Sequence, residues 1–105
     1  MTIKDMQKDV DDWVQQFDPA YWPPLSIMAA ISEETGELAR EINDRYGGRK
    51  KKQEEENKEL GNEITDLIFN CICLANSHDI DLDEAWRRKM DKCYNRDNDR
   101  YEKKD

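Results

Sequence analysis

Apolar residues recur at helical spacing in four stretches of the chain. Ile3, Met6, Val10, Trp13 and Val14 follow the three- and four-residue steps of one helix face, and Thr2 with Asp5 supplies a cap ahead of them. Residues 2 to 17 therefore predict a first helix with that stripe buried. Phe17-Asp-Pro-Ala-Tyr-Trp-Pro-Pro then breaks the pattern and sets rigid rings beside the start of the next helix. Pro23 or Pro24 opens that helix, which runs to about Arg45 and is ended by Tyr46-Gly-Gly. A third helix spans roughly 54 to 77, with Gly61 inside it admitting close approach of a neighbouring backbone. Asp81, with Glu84 three residues on, is a capping box that opens a fourth helix reaching Asn95 or beyond. The prediction is one all-α domain over residues 1 to 105, a bundle of four to five helices.

The run Arg49-Lys-Lys-Lys-Gln-Glu-Glu-Glu separates the second and third helices. Charge runs of this kind usually form a solvated loop and a helix start. The alternative is a flexible lid or hinge between the two long helices.

Those two helices carry carboxylates where apolar faces belong. Glu34 and Glu37 are spaced i, i+3 and share a helix face with Ile27, Ala30, Ile31 and Leu38, inside the apolar stripe rather than opposite it. Glu63, Asp66 and Asn70 repeat the arrangement at i, i+3, i+7, on the side of Leu67 and Leu74, in a helix apolar nearly all round. A lone ionised carboxylate in a core costs several kcal/mol and is normally neutralised or paired. Two facing acidic pairs ask for more charge, and Mg²⁺ is the natural answer. It takes hard oxygen ligands and keeps sites for water and substrate phosphates. Mn²⁺ would substitute. Glu33, Glu41 and Glu54 to Glu56 read as ordinary solvated acids, though Glu33 sits next to the proposed ligands, where it would orient water.

Glu33-Glu34-Thr-Gly-Glu37, followed by Glu63-Ile-Thr-Asp66-Leu-Ile-Phe, resembles the EExxE and ExxD signature of the MazG-like all-α nucleoside triphosphate pyrophosphohydrolases. Cys71-Ile-Cys-Leu-Ala-Asn76, Asp79-Ile-Asp-Leu-Asp-Glu-Ala85 and Lys92-Cys-Tyr-Asn-Arg96-Asp-Asn-Asp-Arg100-Tyr look like the small YpjD-type members of that group. The likeness covers nearly the whole chain. It implies a MazG-like bundle assembling as a homo-oligomer, with Glu34, Glu37, Glu63 and Asp66 holding Mg²⁺. It also implies hydrolysis of a nucleoside or deoxynucleoside triphosphate to the monophosphate and pyrophosphate, a reaction that cleans nucleotide pools.

Composition and charge narrow the rest. A chain of 105 residues, 40% of them charged, builds only a modest core, so a dimer or tetramer is expected to close the site. A net charge of −8 argues against nucleic acid or an anionic membrane as the main partner. The most apolar run, Leu67 to Ala75, is too short for a membrane span. Cys71, Cys73 and Cys93 show neither zinc spacing nor a disulfide framework, which points to a reducing cytoplasm.

Four cations on the last helix, Lys89, Lys92, Arg96 and Arg100, lie on or beside its packing face. They either snorkel or hold phosphates, guanidinium bidentately and ammonium as a point charge; the resemblance implies phosphate binding for basic residues of this helix. Trp22, on the Pro-flanked segment, is a candidate to stack a nucleobase, with Tyr21 and Trp13 beside it, Trp13 reading rather as core. Asn70 would bond a sugar hydroxyl or a metal-bound water, and His78 reads as a helix C-terminal cap. Asp79-Ile-Asp81-Leu-Asp83 fails as a calcium loop, since Glu84 replaces the sixth-position glycine and Met90 the twelfth-position glutamate. The absence of Glu-x-x-His pairs excludes a ferritin-like di-iron site. Other readings are a phosphoribosyl-ATP or dUTP pyrophosphohydrolase of the same superfamily, and a non-enzymatic helical module whose acids meet the 87 to 100 basic region across subunits.

Overall fold

The computed structural model describes residues 1–48 and 53–104, and among them the regular structure is helical: α1 (Ile3–Val14), α2 (Pro24–Tyr46), α3 (Gln53–Ser77) and α4 (Leu82–Asn95). The lid-or-hinge segment has its basic part, residues 49 to 52, outside the described residues. Caps set the boundaries. The Thr2 hydroxyl accepts from the Asp5 backbone N–H while the Asp5 carboxylate accepts from that of Thr2, and Asp81 accepts from the N–H groups of Asp83 and Glu84. Pro24 is the first residue of α2, where its missing donor costs nothing. At the other end a side chain on Gly47 would collide with the Asn43 carbonyl, and Gly48 has a φ of +94°, so Tyr46-Gly-Gly stops the helix sterically. His78 caps α3 as the sequence suggests, its Nδ1 lying 2.9 Å from the Leu74 carbonyl.

The architecture is an α2–α3 antiparallel hairpin with α1 laid on α3 and α4 resting on α1. Ile27 shares a cluster with Ile72, and Arg45 near the end of α2 lies 3.7 Å from Glu56 and donates to Asn57 near the start of α3. The buried apolar residues are few: Val10, Val14, Ile27, Ile72, Cys73 and Ala75. The radius of gyration is 17.2 Å, against about 13 Å for a compact domain of this length. Much apolar surface stays open, including Met28 and Ile42 on α2 and Ile64 and Ile68 on one face of α3. No described helix is long and apolar enough to cross a membrane.

Three expectations are corrected. The first helix ends at Val14 rather than 17, because residues 15 to 18 turn toward the Asp18–Pro19 peptide. Trp13 is 54% exposed rather than core, because it leans edge-on against Phe17 and Phe69 at the mouth of a cavity. Gly61 faces open space, so it serves no close backbone approach.

One buried polar residue ties the layers together. Gln7 is only 8% exposed, and its Nε2 donates to Asn76 Oδ1 and the Ile80 carbonyl, both at 2.8 Å, while its Oε1 accepts from the Leu82 N–H at 2.9 Å. Asn76 Nδ2 in turn donates to the Gln7 carbonyl and to the Tyr21 hydroxyl, each at 3.0 Å, and that hydroxyl donates to Asp11 at 2.7 Å. Every dry donor and acceptor in this chain of bonds is matched, so the network fixes the α3–α4 turn and Tyr21 in one geometry.

Candidate active site

The hairpin register brings one acid of α2 against two of α3. Glu34, Glu63 and Asp66 each offer a carboxylate oxygen within 4.8 Å of the others, with Glu34 and Glu63 half-buried and Asp66 exposed. Glu63 and Asp66 are one helical step of three apart, so both face α2. Burial pushes the Glu34 carboxyl above its usual range, and the charges of Asp66, Glu63, Glu33 and Glu37 push it further. This is the signature of carboxylates gathered without a neutralising cation among the described groups. A divalent ion with oxygen ligands is what such a donor set suits, and Mg²⁺ fits the all-carboxylate chemistry.

The other expected site residues are distributed around this cluster. Glu37 lies outside the three-acid group and is bonded to Arg40, its own helix neighbour, at 2.9 Å. Glu33 is exposed. Asn70 donates to the Asp66 carbonyl at 3.0 Å, which turns its amide nitrogen toward the helix and leaves Oδ1 for other partners. The basic residues of the α4 end gather elsewhere. Arg96 bonds both oxygens of Asp97 at 2.9 and 3.3 Å, Arg100 reaches the same carboxylate at 3.4 Å, and Lys89 and Lys92 are exposed. The Arg96 hydrogen bond, then the charges of Arg96, Lys89 and Lys92, hold the Asp97 carboxyl below its usual range.

Beside the acids lies a cavity of about 360 Å³, reached from them along α3, since Asn70 is one turn past Asp66 and lines the cavity. Trp13, Phe17, Tyr21, Trp22 and Phe69 supply aromatic walls over an apolar floor that includes Ile27 and Cys73. Trp22 is 59% exposed, which suits a ring that closes on a ligand rather than one that packs a core. The Tyr21 hydroxyl is committed to Asp11 and Asn76, and burial together with the Asp11 bond raises its pKa to about 12.

Sequence reasoning passed over Gln7, Asn76 and Asp18. Gln7 had a readable signal, because it falls among Ile3, Val10 and Val14 on the apolar face of α1, as Glu34 does on α2. Asp18 had none beyond its place in the breaker segment, and it too lines the cavity.

Comparison with known proteins gives a consistent result. A family model for the MazG nucleotide pyrophosphohydrolase domain matches residues 23–101. The uncharacterized protein YpjD of Bacillus subtilis (strain 168) is 49% identical over 104 residues, covering 99% of this chain and 94% of that protein. The crystal structure of a Bacillus-conserved MazG protein, a nucleotide pyrophosphohydrolase, is similar with a TM-score of 0.79 at 44% identity, covering 91% of this chain and 93% of that one. The crystal structure of YpjD from Bacillus subtilis is similar with a TM-score of 0.78 at 50% identity, covering 88% and 94% of the two chains.

Proposed function

The chain belongs to the MazG nucleotide pyrophosphohydrolase family, and from that premise we propose that it hydrolyses a nucleoside or deoxynucleoside triphosphate to the monophosphate and pyrophosphate with Mg²⁺, or Mn²⁺ in its place. The observation that carries this reading is the meeting of Glu34, Glu63 and Asp66 oxygens within 4.8 Å, one turn of α3 from an aromatic-walled cavity.

Glu34, Glu63 and Asp66 would hold the metal, and Glu37, paired with Arg40 in an exposed bridge that opens at little cost, would be available to join them. When bound, Mg²⁺ neutralises the triphosphate and lowers the pKa of a coordinated water. Glu33, one residue from Glu34, orients the attacking water. Trp22 stacks the base and Asn70 meets the sugar or a water through Oδ1. Hydrolysis breaks the bond between the α-phosphorus and the oxygen bridging to the β-phosphorus, so negative charge grows on the departing pyrophosphate. Lys89, Lys92, Arg96 and Arg100 receive that charge.

The Arg96 and Arg100 guanidiniums are bonded to Asp97, and both residues lie not on the last helix, as the sequence suggests, but just past its end at Asn95; α4 itself rests on α1. Assembly as a dimer or tetramer supports their use at the site and covers the open faces of α2 and α3. The deciding experiment is pyrophosphate release across a panel of canonical and modified nucleotides, with Mg²⁺ and with chelator. Metal-dependent release abolished by Glu34→Gln and Glu63→Gln is expected. Metal binding unaffected by either substitution would refute the site.

A further inference from the structure

The cavity lining is aromatic and apolar, with a single charged residue in it, Asp18. Asp18 is exposed and has no hydrogen bond or ion pair among the described residues, whereas Asp11, seven residues earlier, is bonded to Tyr21 and Gln15. The polar neighbours in the lining are either spent or neutral. The Tyr21 hydroxyl already donates to Asp11 and accepts from Asn76, and one Asn70 amide hydrogen is given to the Asp66 carbonyl. Asn70 can still both accept and donate, so its amide matches a keto edge as well as an amino edge. An ionised carboxylate only accepts.

We infer that Asp18 is the specificity-determining residue of the base pocket, and that it selects nucleotides whose base carries an exocyclic amino group. This inference rests on the reading of the cavity as the nucleobase site. Asp18 and Trp22 line the same cavity from one connection, so a base stacked on Trp22 would have Asp18 as the charged residue available to its polar edge. Cytosine, adenine and guanine each present an amino donor there, and the bond to a carboxylate is charge-assisted. Uracil and thymine present a keto oxygen in place of the cytosine amino group, so the carboxylate must shift to their N3–H, which two keto oxygens flank and whose approach they repel. An engaged group on an exposed loop is still reached by water, so the discrimination is modest, about tenfold rather than the ~10⁴–10⁵-fold of an enclosed site.

The test uses dCMP and dUMP, which differ at the amino-to-keto position and at N3, and reads binding through the fluorescence of Trp13 and Trp22, which line the cavity. Wild-type protein should bind dCMP about tenfold more tightly than dUMP. Asp18→Asn, which adds a donor while keeping the shape, should bring the two within about twofold by strengthening dUMP. A parallel pyrophosphate-release assay with dCTP and dUTP should show the same ratio in kcat/KM. Equal binding of dCMP and dUMP by the wild type, or a preference that Asp18→Asn leaves intact, overturns the assignment. Selective binding without pyrophosphate release would retain the role of Asp18 and refute the hydrolase reading, so the two failures are distinct.

Discussion

Gln7→Met tests how the fold is held and whether that hold reaches the site. Methionine matches glutamine in length, so the substitution removes hydrogen bonding with little change of volume. Three bonds go at once: those to Asn76 Oδ1, the Ile80 carbonyl and the Leu82 N–H, at 2.8, 2.8 and 2.9 Å. Each partner left dry costs about 1–3 kcal/mol, and partial access of water brings the total to roughly 2–4 kcal/mol. That is a large share of the ~5–15 kcal/mol that holds a typical domain, and at about 4–8 °C per kcal/mol it lowers Tm by roughly 10–30 °C. The assay is urea unfolding followed by far-ultraviolet circular dichroism, with Asp12→Ala as a control that loses only the exposed bond to Lys8. Asn76 loses the donor to its Oδ1 and keeps only its Nδ2 bonds, to the residue-7 carbonyl and to the Tyr21 hydroxyl, so nucleotide KM should rise at temperatures where the variant is folded. A midpoint indistinguishable from that of the control would show that water replaces Gln7 freely, and the network would carry no such weight.

Asp66→Asn removes one of three gathered charges while keeping shape; in chelator it should melt at or above the wild-type temperature, gain less from Mg²⁺, and hydrolyse nucleotides orders of magnitude more slowly. Melting well below wild type in chelator would make Asp66 part of a structural ion pair. Arg96→Ala and Lys89→Ala should each raise KM and lower kcat, and unchanged kinetics in both would make these residues structural. Tyr21 has an alkaline signature. Its folded pKa of about 12 lies above the ordinary 10.0, so between those values the unfolded chain releases a proton that the folded chain keeps, and stability falls as pH rises. Urea midpoints at roughly pH 9 and pH 11 should show that drop in wild type and a smaller one in Tyr21→Phe.

Much of this was legible in the chain. The limits of α2 and the start of α4 followed from proline, glycine and aspartate signals that act within a few residues, and the three converging acids followed from carboxylates on apolar faces. What escaped depends on chain separation. Nothing local says that Trp13 stands at a cavity mouth, because its exposure is set by Phe69, 56 positions away. Glu37 shares the face of Glu34 on the wheel, yet a flexible side chain can choose its own helix neighbour, and Arg40 is within reach. Spacing fixes the direction of a Cβ, not where the end of a long side chain comes to rest.

The division of labour between the two halves of the site has an evolutionary reading. The acids belong to the α2–α3 hairpin, whereas most of the cavity wall comes from α1's last turn and the connection that follows it. Phe17, Asp18 and Trp22 can therefore vary while Tyr21 stays bonded to Asp11 and Asn76, giving proteins that keep one acidic hairpin and differ in the ligand they take. Relatives that take different nucleotides would diverge in that short stretch first, while the hairpin that carries the gathered acids would stay under constraint.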